Sequence, residues 1–128
     1  MGWGETFADN LSMCTYLKKS NMVASPKVLE ALLVLDRKWF TPQWQEELAE
    51  RENPQKSAAS VPTDYYDLSK PLKLGFGASM SSVQSHVQSL ELLADHLKPG
   101  AHALDVGSGS GYLTACMAYL VQRRGLCQ

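Results

Sequence analysis

The chain has 128 residues, 45% of them hydrophobic, and its 12 basic and 13 acidic side chains leave a formal net charge of −1. That length and apolar content support one packed domain, and the balanced charge offers no basic surplus for nucleic acid or an anionic membrane. No apolar run reaches membrane-spanning length and no signal-peptide core follows the N-terminus. Cys14, Cys116 and Cys127 have no CxxC spacing, and His86, His96 and His102 have no zinc-ligand spacing with them. Reduced thiols fit this cysteine usage better than a disulfide framework, so a cytoplasmic setting is expected. The opening Met1-Gly2 with Thr6 matches the myristoylation pattern, a signal so short that it recurs by chance.

Residues 6–19 read as a helix, with Phe7, Leu11, Cys14 and Leu17 at helical spacing and Lys18-Lys19 suited to its last turn. Ser25 as N-cap and Pro26 at the first helical position start a second helix. Its stripe is Val28, Leu32, Leu35 and Trp39, and its end falls near Phe40, before Pro42. Residues 43–64 are polar and charge-rich, carry Pro54 and Pro62, and read as a surface insertion or loop. Gly75 and Gly77 make 72–80 an extended or turning segment. Ser81 and Gln84 have capping-box spacing for a helix to about Leu97, with Val83, Val87, Leu90, Ala94 and Leu97 on one face and Lys98-Pro99-Gly100 as its stop. A strand over 102–106, a glycine loop and a helix from about Tyr112 to Arg123 follow.

The glycine loop carries the chemistry. The strand ends at Asp105, glycine then stands at every second position (Gly107, Gly109, Gly111), and a helix begins. Such a turn lets a ligand lie against bare backbone and face unpaired N–H groups at a helix N-terminus. A P-loop needs Gly-Lys-Ser/Thr at its end, and Gly111-Tyr112 stands there. A dinucleotide fingerprint needs Gly or Ala at the position of Tyr112. The remaining pattern, Asp-x-Gly-x-Gly-x-Gly, resembles the first motif of methyltransferases that use S-adenosyl-L-methionine (AdoMet). The competing reading is a plain glycine-rich turn in which Asp105 caps the next helix.

Residues beyond the loop narrow the resemblance. Lys27-Val28-Leu29-Glu30, Leu35-Asp36-Arg37-Lys38-Trp39-Phe40, Gly75-Phe76-Gly77-Ala78-Ser79-Met80-Ser81, His86 and Leu90-Glu91-Leu92-Leu93, together with the glycine loop, resemble the protein-L-isoaspartate (D-aspartate) O-methyltransferase family. The resemblance covers the chain except 43–70. It implies an α/β fold: an incomplete Rossmann-like class I methyltransferase fold, made of an N-terminal helical region, the first strand, the glycine loop and a helix. It divides the chain into a helical region (1–42), a surface insertion or loop (43–70), a substrate-side segment with its helix (71–101) and the AdoMet strand-loop-helix (102–128).

The resemblance also implies roles. Ser81 matches the serine that lines the substrate pocket and is the candidate catalytic residue, with Ser79 and His86 beside it as substrate-binding residues. Asp105, Gly107, Ser108, Gly109 and Gly111 are the candidate cofactor-binding residues, and no metal is implied. The family continues with a proline and a first histidine where this chain has Val83 and Gln84. The implied reaction moves a methyl group from AdoMet to an isoaspartyl or D-aspartyl carboxylate in damaged proteins and peptides. Two other functions stay open: an AdoMet methyltransferase of another substrate class, and an AdoMet-binding adaptor without turnover. A complete fold of this kind has a seven-stranded sheet, so the chain reads as its N-terminal portion. By itself it is expected to bind AdoMet weakly, to lack turnover and to self-associate through its lone strand.

Overall fold

The computed structural model describes residues 2–53 and 63–123. Its elements are β1 (Thr6–Phe7), α1 (Asn10–Lys19), α2 (Pro26–Val34), a 3₁₀ turn (Arg37–Phe40), α3 (Pro42–Glu52), β2 (Tyr66–Asp67), β3 (Leu72–Gly75), β4 (Ala78–Met80), α4 (Val83–Leu93) and α5 (Tyr112–Val121). β1 pairs antiparallel with β2, Phe7 opposite Tyr66. β3 and β4 form a hairpin with Leu72 opposite Met80 and a bulge between Lys73 and Gly75.

Capping side chains set the helix starts. Asp9 accepts from the Ser12 N–H at 2.7 Å and begins α1 at Asn10, four residues later than the periodicity predicts, with residues 6–7 paired in β1 instead. The buried face is Asn10, Met13, Cys14 and Leu17, while Leu11 points to solvent. Ser25 and Pro26 start α2 as expected. The helix stops at Val34, and the 3₁₀ turn capped by Asp36 carries the chain to Phe40, leaving Trp39 half exposed.

Residues 43–52, expected as loop, are helical. Thr41 caps α3, Pro42 fills its first position, and the following Gln, Glu, Leu, Ala and Arg residues are good helix formers. The helix has no buried residue, so it carries no apolar stripe for periodicity to detect. Lys38 Nζ lies 4.3 Å and Arg51 Cζ 5.2 Å from the Trp44 ring, and the Tyr65 hydroxyl donates to Glu47 at 2.7 Å. Residues 54–62 of the expected loop lie outside the described residues, as does Cys127.

The core gathers Met13, Leu17, Val28, Leu32, Leu68, Val87, Leu90 and Cys116, with α2 packed against α1, α4 and α5. Asn10 Nδ2 donates to the Leu32 carbonyl at 2.9 Å and ties α1 to α2. The strand expected at 102–106 does not form; these residues have no regular structure and pair with no strand. A parallel strand exists only through hydrogen bonds to neighbours, and the described residues supply none. Leu104 and Val106 are accordingly 85% and 86% exposed.

Candidate functional site

Two chain segments meet at a cleft of about 110 Å³. From the hairpin and α4 come Ser79, Met80, Ser81, Ser85, His86 and Ser89; from the loop and α5 come Asp105, Gly107, Ser108, Gly109, Ser110, Tyr112 and Leu113. Seven of the residues singled out in the sequence therefore share one cavity: Ser79, Ser81, His86, Asp105, Gly107, Ser108 and Gly109. Gly111, the eighth, does not line it. It stands at the N-cap of α5 with φ +91°, a left-handed position open to glycine at little cost.

The hairpin presents Ser79 and Ser81 on either side of buried Met80. The expected capping box does not form. Ser82 is the N-cap of α4 and accepts from the Ser85 N–H at 3.3 Å, while the Gln84 N–H donates to the Leu68 carbonyl at 2.9 Å. Ser81 is thereby excused from capping, and its side chain is exposed at the cleft. Val83 is buried in the core, and neither Val83 nor Gln84 lines the cavity.

Across the cleft, Asp105 Oδ2 accepts from Thr114 Oγ1 at 2.6 Å. The loop turns through left-handed glycines, φ +78° at Gly107 and +56° at Gly109, and the Gly111 N–H donates to the Ser108 carbonyl at 2.9 Å. Nothing lies within 4 Å of where a Cβ would stand on Gly107, so the backbone there is open to a ligand. First-turn residues of both α4 and α5 line the cleft, and helix N-termini carry partial positive charge.

In the wall and behind it sit groups to which the sequence alone assigned no site role. Tyr112 is buried, with its ring centroid 5.0 Å from the His86 ring and 5.5 Å from Phe40. Burial pushes the Tyr112 phenol well above its ordinary range, so it stays protonated. Arg37 is 1% exposed, donates from Nη2 to the Ser81 carbonyl at 3.1 Å, and has its Cζ 5.8 Å from the Tyr112 ring centroid. Burial, with the nearby Arg37 charge, brings the His86 pKa down to about 4, against a weaker opposing pull from Asp105. His86 is therefore neutral at pH 7. A sequence signal existed for Ser85 and Ser89: Ser89 follows Ser85 by four residues and His86 by three, one turn of α4 from each. Arg37 stood in one of the stretches that carry the resemblance, but its contact with Ser81 had no local signal, since it spans 44 residues of chain.

Comparison with known proteins places these features in a group. The sequence model of the protein-L-isoaspartate (D-aspartate) O-methyltransferase family matches residues 8–127. A protein-L-isoaspartate O-methyltransferase of Triticum aestivum is 39% identical over 124 residues, covering 96% of this chain and 46% of that protein. One of Caenorhabditis elegans is 34% identical over 125 residues, covering 98% and 46%. The chain thus spans about half the length of these relatives. A crystal structure from Plasmodium falciparum, described as a protein-L-isoaspartate O-methyltransferase in complex with S-adenosyl-L-homocysteine, superposes with a TM-score of 0.67 at 29% identity. It covers 90% of this chain and 43% of that one.

Proposed function

The chain belongs to the protein-L-isoaspartate (D-aspartate) O-methyltransferase family, and from that premise we propose that its cleft is the methyl-transfer end of such an enzyme's active site. The reaction is transfer of a methyl group from AdoMet to the α-carboxylate of isoaspartyl or D-aspartyl residues in damaged proteins. The observation that carries this reading is the single cleft shared by Ser79, Ser81 and His86 on one side and Asp105, Gly107, Ser108 and Gly109 on the other.

The residues present fit AdoMet. It carries no phosphate and needs no lysine clamp; it carries a cation, and the cleft has a carboxylate at Asp105 beside unobstructed loop backbone. When bound, AdoMet supplies an activated methyl group on a sulfonium. Asp105, Gly107, Ser108 and Gly109 would hold it, with Gly111 setting the loop's exit into α5. At about 110 Å³ the cleft is smaller than whole-ligand pockets of roughly 300–1,000 Å³, so it suits the reacting ends of two ligands.

The acceptor carboxylate is already ionised at neutral pH, so the site needs no strong base. Its task is to orient one oxygen and strip part of its water. The exposed Ser81 hydroxyl can donate to that carboxylate, and the α4 N-terminus adds favourable potential. Neutral His86 supports this role through its place in the wall without proton transfer. Val83 and Gln84, which depart from the family pattern, lie off the cleft, and this favours isoaspartate over another substrate class. The Rossmann-like sheet is the reading that the family supports for the whole protein. Among the described residues no helix is long and apolar enough to cross a membrane. Cysteine usage without CxxC spacing, with Cys14 and Cys116 buried as thiols, fits a reducing, cytosolic setting.

The test uses the full protein, labelled AdoMet and two peptides that differ only in aspartate versus isoaspartate. Base-labile label on the isoaspartyl peptide alone is expected, and Ser81→Ala should lower that labelling. Label on neither peptide, with AdoMet bound, would instead favour an AdoMet-binding protein without this activity.

A further inference from the structure

Arg37 is a buried charge that makes no ion pair among the described residues; the Asp36 carboxylate acts on it only from beyond contact distance. The Arg37 side chain is 1% exposed, and no carboxylate lies within ion-pair distance of it among the described residues. Nε and Nη1 are buried without a hydrogen-bond partner there, and only Nη2 is engaged, on the Ser81 carbonyl at 3.1 Å. The adjacent Asp36 is committed elsewhere: its Oδ1 accepts from the Tyr66 hydroxyl at 2.6 Å and the Lys38 N–H at 3.1 Å, and its Oδ2 faces Lys38 Nζ at 4.0 Å.

Burying a cation without an anion is expensive, and a structural brace for one carbonyl does not require a permanent charge. Both groups that Arg37 touches, the Ser81 carbonyl and the Tyr112 ring, belong to residues of the cleft wall. The charge therefore lies one residue behind the surface where the reading above seats a carboxylate. Asp105, the carboxylate that lines the opposite side, is tied to Thr114.

We propose that Arg37 is the counter-cation of the carboxylate that enters this cleft: a positioning residue that braces the Ser81 backbone and supplies, from behind it, the positive potential that the substrate neutralises. The inference rests on the carboxyl-methyltransferase reading and deepens it, because it makes the ionised form of the acceptor the recognised one. At several ångströms and protein-like dielectric, one unit charge is enough for about tenfold in affinity. The neutrality of His86 fits: the wall then presents one cation rather than two competing ones.

The experiment measures Kd on the full protein for an isoaspartyl peptide and for its neutral α-carboxamide counterpart, in wild type, Arg37→Gln and Arg37→Lys. Wild type should prefer the carboxylate by about tenfold. Arg37→Gln should abolish that preference by weakening the carboxylate peptide alone, while Arg37→Lys, which keeps the charge, retains it. A brace without an electrostatic role weakens both peptides equally in Arg37→Gln, and that result overturns the assignment. If Arg37→Gln does not fold, Arg37→Lys decides, and loss of the preference there overturns it. A wild type that does not distinguish the two peptides overturns the functional reading itself, whereas a wild-type preference unchanged in Arg37→Gln overturns only the role of Arg37.

Discussion

Thr114 and Asp105 are joined across the glycine loop: Thr114 Oγ1 donates to Asp105 Oδ2 at 2.6 Å, so a residue in the first turn of α5 holds the loop's carboxylate in place. Asp105 does not act as the N-cap of α5, a position occupied by Gly111 without a side-chain hydrogen bond. The carboxylate is therefore oriented by the helix rather than consumed in starting it. Thr114→Val keeps the shape and removes the donor. It should weaken AdoMet binding by roughly three- to tenfold, the net scale of one solvent-exposed hydrogen bond, and Thr114→Ser should restore it. Equal binding by all three proteins in calorimetry would separate Asp105 from the cofactor.

Glu91 caps a helix from 66 residues away. Its Oε1 accepts from the Ser25 N–H and its Oε2 from the Ala24 N–H, both at 3.1 Å, just where α2 begins. It satisfies orphan donors and places negative charge at a helix N-terminus. Glu91→Ala should lower stability by about 1–2 kcal/mol, read as a fall in the urea midpoint, while AdoMet binding is kept.

What the sequence revealed and hid follows from range. Ser25-Pro26, the glycine loop and the break at Gly75 and Gly77 act within a few residues, so their spacing was enough to find them. The start of α1 shifted because Asp9 competes locally as a cap, and α3 was missed because a helix with no buried face looks like a polar loop. The cleft was legible residue by residue, from Ser79 to Gly109, through resemblance. Its buried wall was not. Arg37 and Tyr112 meet Ser81 and His86 only once α4, α5 and the 3₁₀ turn are packed, and no local pattern encodes that meeting.

His86 makes stability depend on pH. Its folded pKa of about 4 lies below the ordinary imidazole value of 6.5, because burial and Arg37 disfavour its charged form. The unfolded chain takes up the proton first as pH falls. This contribution is thus fully present above about pH 6.5 and is lost as pH falls towards 4, to the order of 3 kcal/mol. Urea melts at pH 7.5 and 4.5 should show this difference, and His86→Gln should flatten it. A slope that persists unchanged in His86→Gln would assign the effect to other groups.

Gly109 and Gly107 separate backbone strain from crowding. Gly109 has φ +56°, and an added Cβ would meet Leu74 Cδ1 at 3.5 Å, ordinary contact; Gly107 has φ +78° and open space. Alanine at either position should therefore cost about 1–2 kcal/mol through its left-handed backbone alone. AdoMet binding should fall further in Gly107→Ala than stability accounts for, because its Cβ would occupy space beside the loop where the cofactor is proposed to lie. Equal losses of binding and stability would place the ligand elsewhere.

Leu104 and Val106 are the residues expected to govern association. They are 85% and 86% exposed on a segment whose backbone makes no strand pairing among the described residues. Unpaired N–H and C=O groups flanked by exposed apolar side chains template pairing with another chain. The 128-residue chain should therefore self-associate with rising concentration, seen by light scattering. Leu104→Lys and Val106→Lys should suppress this without touching the cleft, since neither residue lines it. If the double variant associates as strongly as wild type, the contact lies on another face, such as the one around Leu11 and Leu33, also exposed at 67% and 43%. A wild-type chain that stays monomeric to millimolar concentration would show that lone apolar side chains on irregular backbone are too weak a template, however exposed they are.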